Sequence, residues 1–332
     1  MKERRLILVV VGFFVLLGVG LVFLWQRRQA PTEPLPELPV VEITPVVPQP
    51  GYVRYTLRAS LPQIEKFPVY EYENGCPDSV CKARPFEWAR ALGFAGEPEE
   101  IEDALEGTLL LWSKEGQTLV IAADGSNLSY RVDLSTETHP TGVSGSFLPS
   151  FEAAAEIVER TLTELGATSD LLAHDPAKNK ALKTGVSLVQ ETDLTDAELV
   201  EVHFTAKIDS YLVYLEGGPE WDPVLAWVGR DGKLLRLEYH PVGTVGEKIA
   251  DYPIKDEEEL QKDLEGGKGV VVSSSLEGGE DIVAVTITKA GLGYLLPQPN
   301  ATTIQPVYVL TGQARTAKSK TGTITIYLPA AL

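Results

Sequence analysis

Ser150-Phe151-Glu152-Ala153-Ala154-Ala155-Glu156-Ile157-Val158-Glu159-Arg160-Thr161-Leu162-Thr163-Glu164-Leu165-Gly166 reads as one helix with both ends marked. Ser150 is a natural N-cap, because its hydroxyl can accept a free N–H of the first turn. Phe151, Ala154, Ala155, Val158, Leu162 and Leu165 recur at helical spacing as one apolar stripe, and Gly166 ends it. Strand-like runs follow at 186–190, 199–208, 211–215, 224–228 and 234–239, with Asp231-Gly232 turning the last pair. A helix followed by antiparallel strands is an α+β unit.

The same order recurs on either side. Upstream, a helix through Ala83, Trp88 and Leu92 ends at Gly93, with Pro85 placed for its first turn. Strands are expected at 107–114, 118–123 and 128–134. Downstream, Asp256 and Glu259 have capping-box spacing ahead of Leu260, Leu264 and Gly266-Gly267. Strands then follow at 282–288, 293–296, 304–311 and 322–328. The expected fold class is therefore α+β. An N-terminal transmembrane helix precedes tandem helix-plus-antiparallel-sheet units at 51–145, 146–245 and 246–332.

The transmembrane expectation rests on residues 6–25, twenty in a row without a charge, ending at Trp25. As a helix such a run is ~30 Å long, enough to span the hydrocarbon core of a bilayer. It is longer than a cleaved signal's apolar stretch, and Gln26-Arg27-Arg28 follows directly. Residues 1–28 thus read as an uncleaved, single-pass signal anchor with a cytoplasmic N-terminus. Residues 29–50 hold seven prolines (Pro31, Pro34, Pro36, Pro39, Pro45, Pro48 and Pro50), the mark of an extended linker.

The chain of 332 residues has 29 basic and 47 acidic side chains, a net charge of −18. That balance argues against a nucleic-acid partner, since phosphate binding needs surplus Lys and Arg. It also sets the C-terminal part against an anionic inner leaflet, so that part is expected outside the cytoplasm. There Cys76 and Cys81 are close enough in sequence to form a disulfide closing a small loop.

Asp124-Gly125-Ser126-Asn127-Leu128-Ser129-Tyr130 and Asp231-Gly232-Lys233-Leu234-Leu235-Arg236-Leu237-Glu238-Tyr239 resemble the turn and strand of PepSY-type domains. The layout as a whole resembles the YycH/YycI class of bacterial proteins. The passages 305–312 and 324–331 are similar to their closing strands. The resemblance implies PepSY-like units in a regulatory, protein-binding and non-enzymatic role. The implied partner is a membrane or extracytoplasmic protein such as a sensor kinase or a peptidase. It carries over no binding residues.

Catalytic signals are thin. Ser79-Val80-Cys81-Lys82 has the Ser-x-x-Lys form, and Lys183-Thr184-Gly185 and Lys320-Thr321-Gly322 have the Lys-Thr-Gly form of penicillin-binding enzymes. The serine, however, lies inside the cysteine loop. His139, His174, His203 and His240 are scattered, and His203 alternates with Val202 and Phe204 as a strand histidine would. Acidic clusters at 97–103 and 256–259 read as solvated helix starts. No cofactor or metal is expected. One alternative is a surface protein that stacks cell-wall polysaccharide on Trp88, Trp112, Trp221 and Trp227, with Trp221 as the test position. A hydrolase with an unrecognised site is another.

Overall fold

The computed structural model describes residues 34–332 except 42, 44, 46–48, 50, 52, 74–81, 105–106, 135–146, 185–188, 216–217, 220, 277–280 and 297–300. The chain divides into Met1–Pro39 and Val40–Leu332. Of the first unit, residues 34–39 are described and carry no helix or strand.

The second unit is dominated by strands. They are β1 (Arg54–Leu57), β2 (Lys66–Glu73), β3 (Glu99–Asp103), β4 (Gly107–Lys114), β5 (Gln117–Ala122) and β6 (Leu128–Val132). Next come β7 (Leu172–His174), β8 (Lys180–Thr184), β9 (Val189–Glu191), β10 (Leu199–Ile208), β11 (Tyr211–Tyr214) and β12 (Val224–Gly229). The last are β13 (Leu234–Tyr239), β14 (Thr244–Pro253), β15 (Val270–Ser274), β16 (Ile282–Leu295), β17 (Thr303–Thr316) and β18 (Thr321–Pro329). Three α-helices accompany them among the described residues: α1 (Arg84–Ala91), α2 (Phe151–Glu164) and α3 (Glu257–Glu265).

Each helix starts where local chemistry directs. In α1, Pro85 occupies the first turn. The Ser150 hydroxyl caps α2 by accepting from Ala153 N at 3.2 Å. At the start of α3, Asp256 and Glu259 cap each other's backbone N–H groups reciprocally.

Strand pairing corrects the expected fold class. β3, β4, β5, β6, β13, β12 and β10 follow one another as antiparallel neighbours. The β6–β13 pairing carries that sheet straight across the expected boundary at 145/146. The sheet then continues through the β10–β11 hairpin into β16, which runs parallel to β11, and on to β17, β18 and β15. β1 lies parallel along β16, and β2 pairs with β14 and touches β17. The described residues thus form a large mixed β-sheet with three α-helices, not a tandem series of PepSY-like units. The physical reason is edge satisfaction. A curved antiparallel unit leaves open edges, and here strands from elsewhere in the chain close several of them, as β13 does for β6 and β11 does for β16.

The expected anchor at 6–25 lies outside the described residues. Among the described residues no helix is long and apolar enough to cross a membrane. The single-pass anchor and the localisation built on it are therefore withdrawn as unsupported. The expected Cys76–Cys81 bridge also lies outside the described residues, no disulfide occurs among those described, and that expectation is withdrawn with it.

Two large cores sit against the sheet. In the first, α1 and α2 cover one face with Trp88, Ala154, Val158 and Leu162 against Leu119, Ile121, Val200, Val202, Phe204 and Leu237. In the second, Leu260 and Leu264 of α3 join Phe67, Ile287, Tyr294, Tyr308, Leu310 and Ile326. Fully burying a leucine or phenylalanine is worth ~2 kcal/mol, so these clusters hold most of the stability. β10 serves both, with Val200, Val202 and Phe204 in one and Ala206 and Ile208 in the other. The linker's end joins the body too. Val41 and Ile43 pack on Val272, Val307 and Tyr327, and the Gln49 side-chain amide exchanges two hydrogen bonds with the Val271 backbone.

Candidate functional site

Strand periodicity places alternate residues of β10 on opposite faces. Val200, Val202 and Phe204 point into the first core, which leaves Leu199, Glu201, His203 and Thr205 on the other face. All four are buried. Burying Glu201 and His203 requires partners, because an unpaired buried charge is costly.

The partners come from two connections that fold over this face. β11 and β12 lie end to end along one edge of β10, and the chain between them leaves the sheet after Tyr214 and rejoins it at Val224. Of this connection Leu215, Gly218, Pro219 and Trp221, Asp222 and Pro223 are described. Asp222 Oδ2 sits 2.8 Å from His203 Nδ1, and Asp222 Oδ1 accepts from Lys178 Nζ at 2.5 Å. Pro223 O accepts from His240 N at 2.8 Å. The second connection, between β7 and β8, supplies Lys178 and Asn179, and Lys180 opens β8. Lys180 Nζ lies 3.2 Å from Glu201 Oε1. Asn179 Nδ2 lies 2.9 Å from His174 Nε2, and Asn179 Oδ1 accepts from His203 N at 3.4 Å.

Glu201 completes the cluster. Its Oε1 is 3.0 Å from His203 Nε2, and its Oε2 accepts from Trp227 Nε1 at 2.7 Å. Burial alone pushes its carboxyl upward. His203, Trp227 and Lys180 outweigh that and hold it at about 2. Burial likewise opposes a charged His203, yet hydrogen bonds and charges from Asp222 and Glu201 prevail, and its pKa is raised. Each ring nitrogen faces a carboxylate, an arrangement that favours the imidazolium form, which donates in both directions. A ring with both nitrogens protonated has no lone pair for general-base chemistry. The arrangement is an ionic clamp holding the β11–β12 connection on the sheet.

Trp221, the sequence-selected binding residue, stands beside that clamp. It is 54% exposed, its ring lies 5.9 Å from that of His240, and the next residue is Asp222, whose side chain is only 5% exposed. Of the other tryptophans considered for stacking, Trp227 belongs to the clamp through Glu201, and Trp88 and Trp112 lie elsewhere. Trp88 and Trp112 are core residues that donate to Leu165 O and Gly96 O, and Arg236 covers the Trp227 ring at 4.9 Å. They form no common platform with Trp221. Ser79 and Gly185 lie outside the described residues. Lys183 and Thr184 end β8, and Lys320 sits in the β17–β18 turn.

Sequence reasoning named His203 but missed Asp222, Lys178 and Glu201. Glu201, His203 and Lys207 on one face of a strand whose other face is wholly apolar were the available signal.

No family model matches the chain, and no curated protein matches it. Among solved structures, an uncharacterized protein from Eubacterium rectale is similar over 82% of this chain and 87% of its own, at 14% identity and a TM-score of 0.40. A likeness at that level carries no argument about this chain.

Proposed function

We propose that this chain is a non-enzymatic protein-interaction module whose contact is the β11–β12 connection, with Trp221 as its anchor. One observation supports the reading above others: an aromatic side chain more than half exposed, on a connection held in place by a buried ionic clamp. Rigid, exposed tryptophans are favoured contact anchors, because they bury much area for little lost conformational freedom. The partner is another protein, and the role is regulation or scaffolding.

Affinity capture with the intact chain tests this, run beside Trp221→Ala and beside insoluble cell-wall polysaccharide. The expected result is a specific protein retained by the parent and lost from the variant at unchanged thermal stability. Equal retention by both, or retention of polysaccharide alone, overturns the reading.

A further inference from the structure

Among the described residues, strand β1 is paired through one edge only. It runs parallel to β16, from Arg54 opposite Ala284 to Leu57 opposite Ile287, and Arg58 N continues the ladder to Ile287 O at 2.9 Å. In a parallel ladder a residue turns both main-chain groups to the same neighbour, and successive residues alternate. Arg54, Thr56 and Arg58 therefore bond to β16, while Tyr55 and Leu57 aim their N–H and C=O groups away from it. That open side faces α3, since Gln261 Nε2 donates to Tyr55 O at 3.3 Å.

Between the strand edge and the helix lies an open groove of about 540 Å³, lined by Tyr55, Thr56, Leu57, Glu257, Glu258 and Gln261. The Tyr55 and Leu57 side chains pack on the second core, so the strand presents its backbone to the groove. Glu257 and Glu258 are exposed. Neither enters the capping box or an ion pair among the described residues.

We propose that this groove takes an extended, lysine- or arginine-bearing segment of a partner protein, which adds a strand to the free edge of β1 and sets basic side chains against Glu257 and Glu258. Strand addition needs unpaired main-chain groups at strand spacing. Tyr55 N–H, Leu57 N–H and Leu57 C=O supply them, because Gln261 occupies only the Tyr55 carbonyl. Charge selects the segment. Two unneutralised carboxylates line one wall, and a net charge of −18 repels an acidic competitor. Arg54 and Arg58 are not among the lining residues. The groove shares no residue with the Trp221 connection, so this inference stands apart from that reading.

Display of random decapeptides against the intact chain is the test, repeated on the Glu257→Lys/Glu258→Lys variant. Enriched peptides should carry Lys or Arg at alternate positions and bind the charge-reversed variant at least roughly tenfold more weakly. Saturation with a selected peptide should slow amide exchange at Tyr55 and Leu57 by at least roughly tenfold. N-methylating the peptide at its inward-facing positions should abolish that protection. The proposal is overturned by no enrichment, by enrichment indifferent to charge reversal, or by binding that leaves Tyr55 and Leu57 exchange unchanged.

Discussion

His203 Nδ1 meets the Asp222 carboxylate at 2.8 Å across the gap where β11 gives way to β12. The two residues belong to different elements, and the contact ties an off-sheet connection to the most deeply buried strand of the first core. Asp222 also takes Lys178, so one carboxylate bridges the two side chains through its two oxygens.

Removing that carboxylate strips the His203 ring of one of its two carboxylates in a largely buried site and leaves Glu201 alone to face it. Asp222→Ala should therefore lower stability by about 3 kcal/mol, the scale for breaking a buried pair from one side. Urea unfolding measures it. A loss under about 0.5 kcal/mol, typical of an exposed pair, would mean that the clamp is not desolvated.

The clamp predicts a pH window. His203 has a raised pKa, so its contribution is complete below its ordinary value of 6.5 and fades as pH rises through the higher folded value. Glu201, held at about 2, contributes fully above its ordinary value of 4.5 and is lost as pH falls through about 2. Stability should be greatest in mildly acidic solution and decline on the alkaline side. In His203→Gln that alkaline decline should shrink, as thermal melts across pH would record.

Gly312 stands where β17 crosses β16 closely. A Cβ there would lie 2.2 Å from Thr286 O and 2.9 Å from Ile287 Cα, both backbone atoms that cannot step aside. Gly312→Ala should cost about 2 kcal/mol or more by overpacking. Gly291, in β16, has its nearest atom at 3.9 Å, and Gly291→Ala should be neutral or stabilising. Paired denaturation curves should separate the two, and equal effects would contradict the register.

Leu260 is fully buried where α3 meets the second core. Leu260→Ala should lose about 3 kcal/mol through lost burial and the cavity left behind. Asp256→Ala, which removes the capping box at the same helix start, should lose only about 1 kcal/mol. The ratio in chemical denaturation distinguishes packing from capping as what holds this helix.

Local features of the fold were readable residue by residue. Ser150 with its apolar stripe gave α2, Asp256 with Glu259 gave α3, and Pro85 marked the first turn of α1. Pairing was not readable, because any alternating strand offers the same ladder of donors and acceptors to any other. Nothing in residues 54–57 or 66–73 says that they join strands from the far end of the chain. At the site, the alternation of Val202, His203 and Phe204 placed the histidine on a strand. Asp222 lay hidden in a connection whose path only the β10 edge defines.

By itself the amino-acid order determined the starts of α1, α2 and α3, many of the alternating strands and the acidic balance, all of which depend on near neighbours and on composition. The acidic run 97–103, expected to start a helix, instead holds strand β3. Tertiary structure alone decided that the strands fuse into one sheet, that His203 sits between two carboxylates, and that the edge of β1 stays open beside α3. Those outcomes depend on which distant backbone groups and charges satisfy one another once water is excluded, and short-range sequence pattern does not encode that choice.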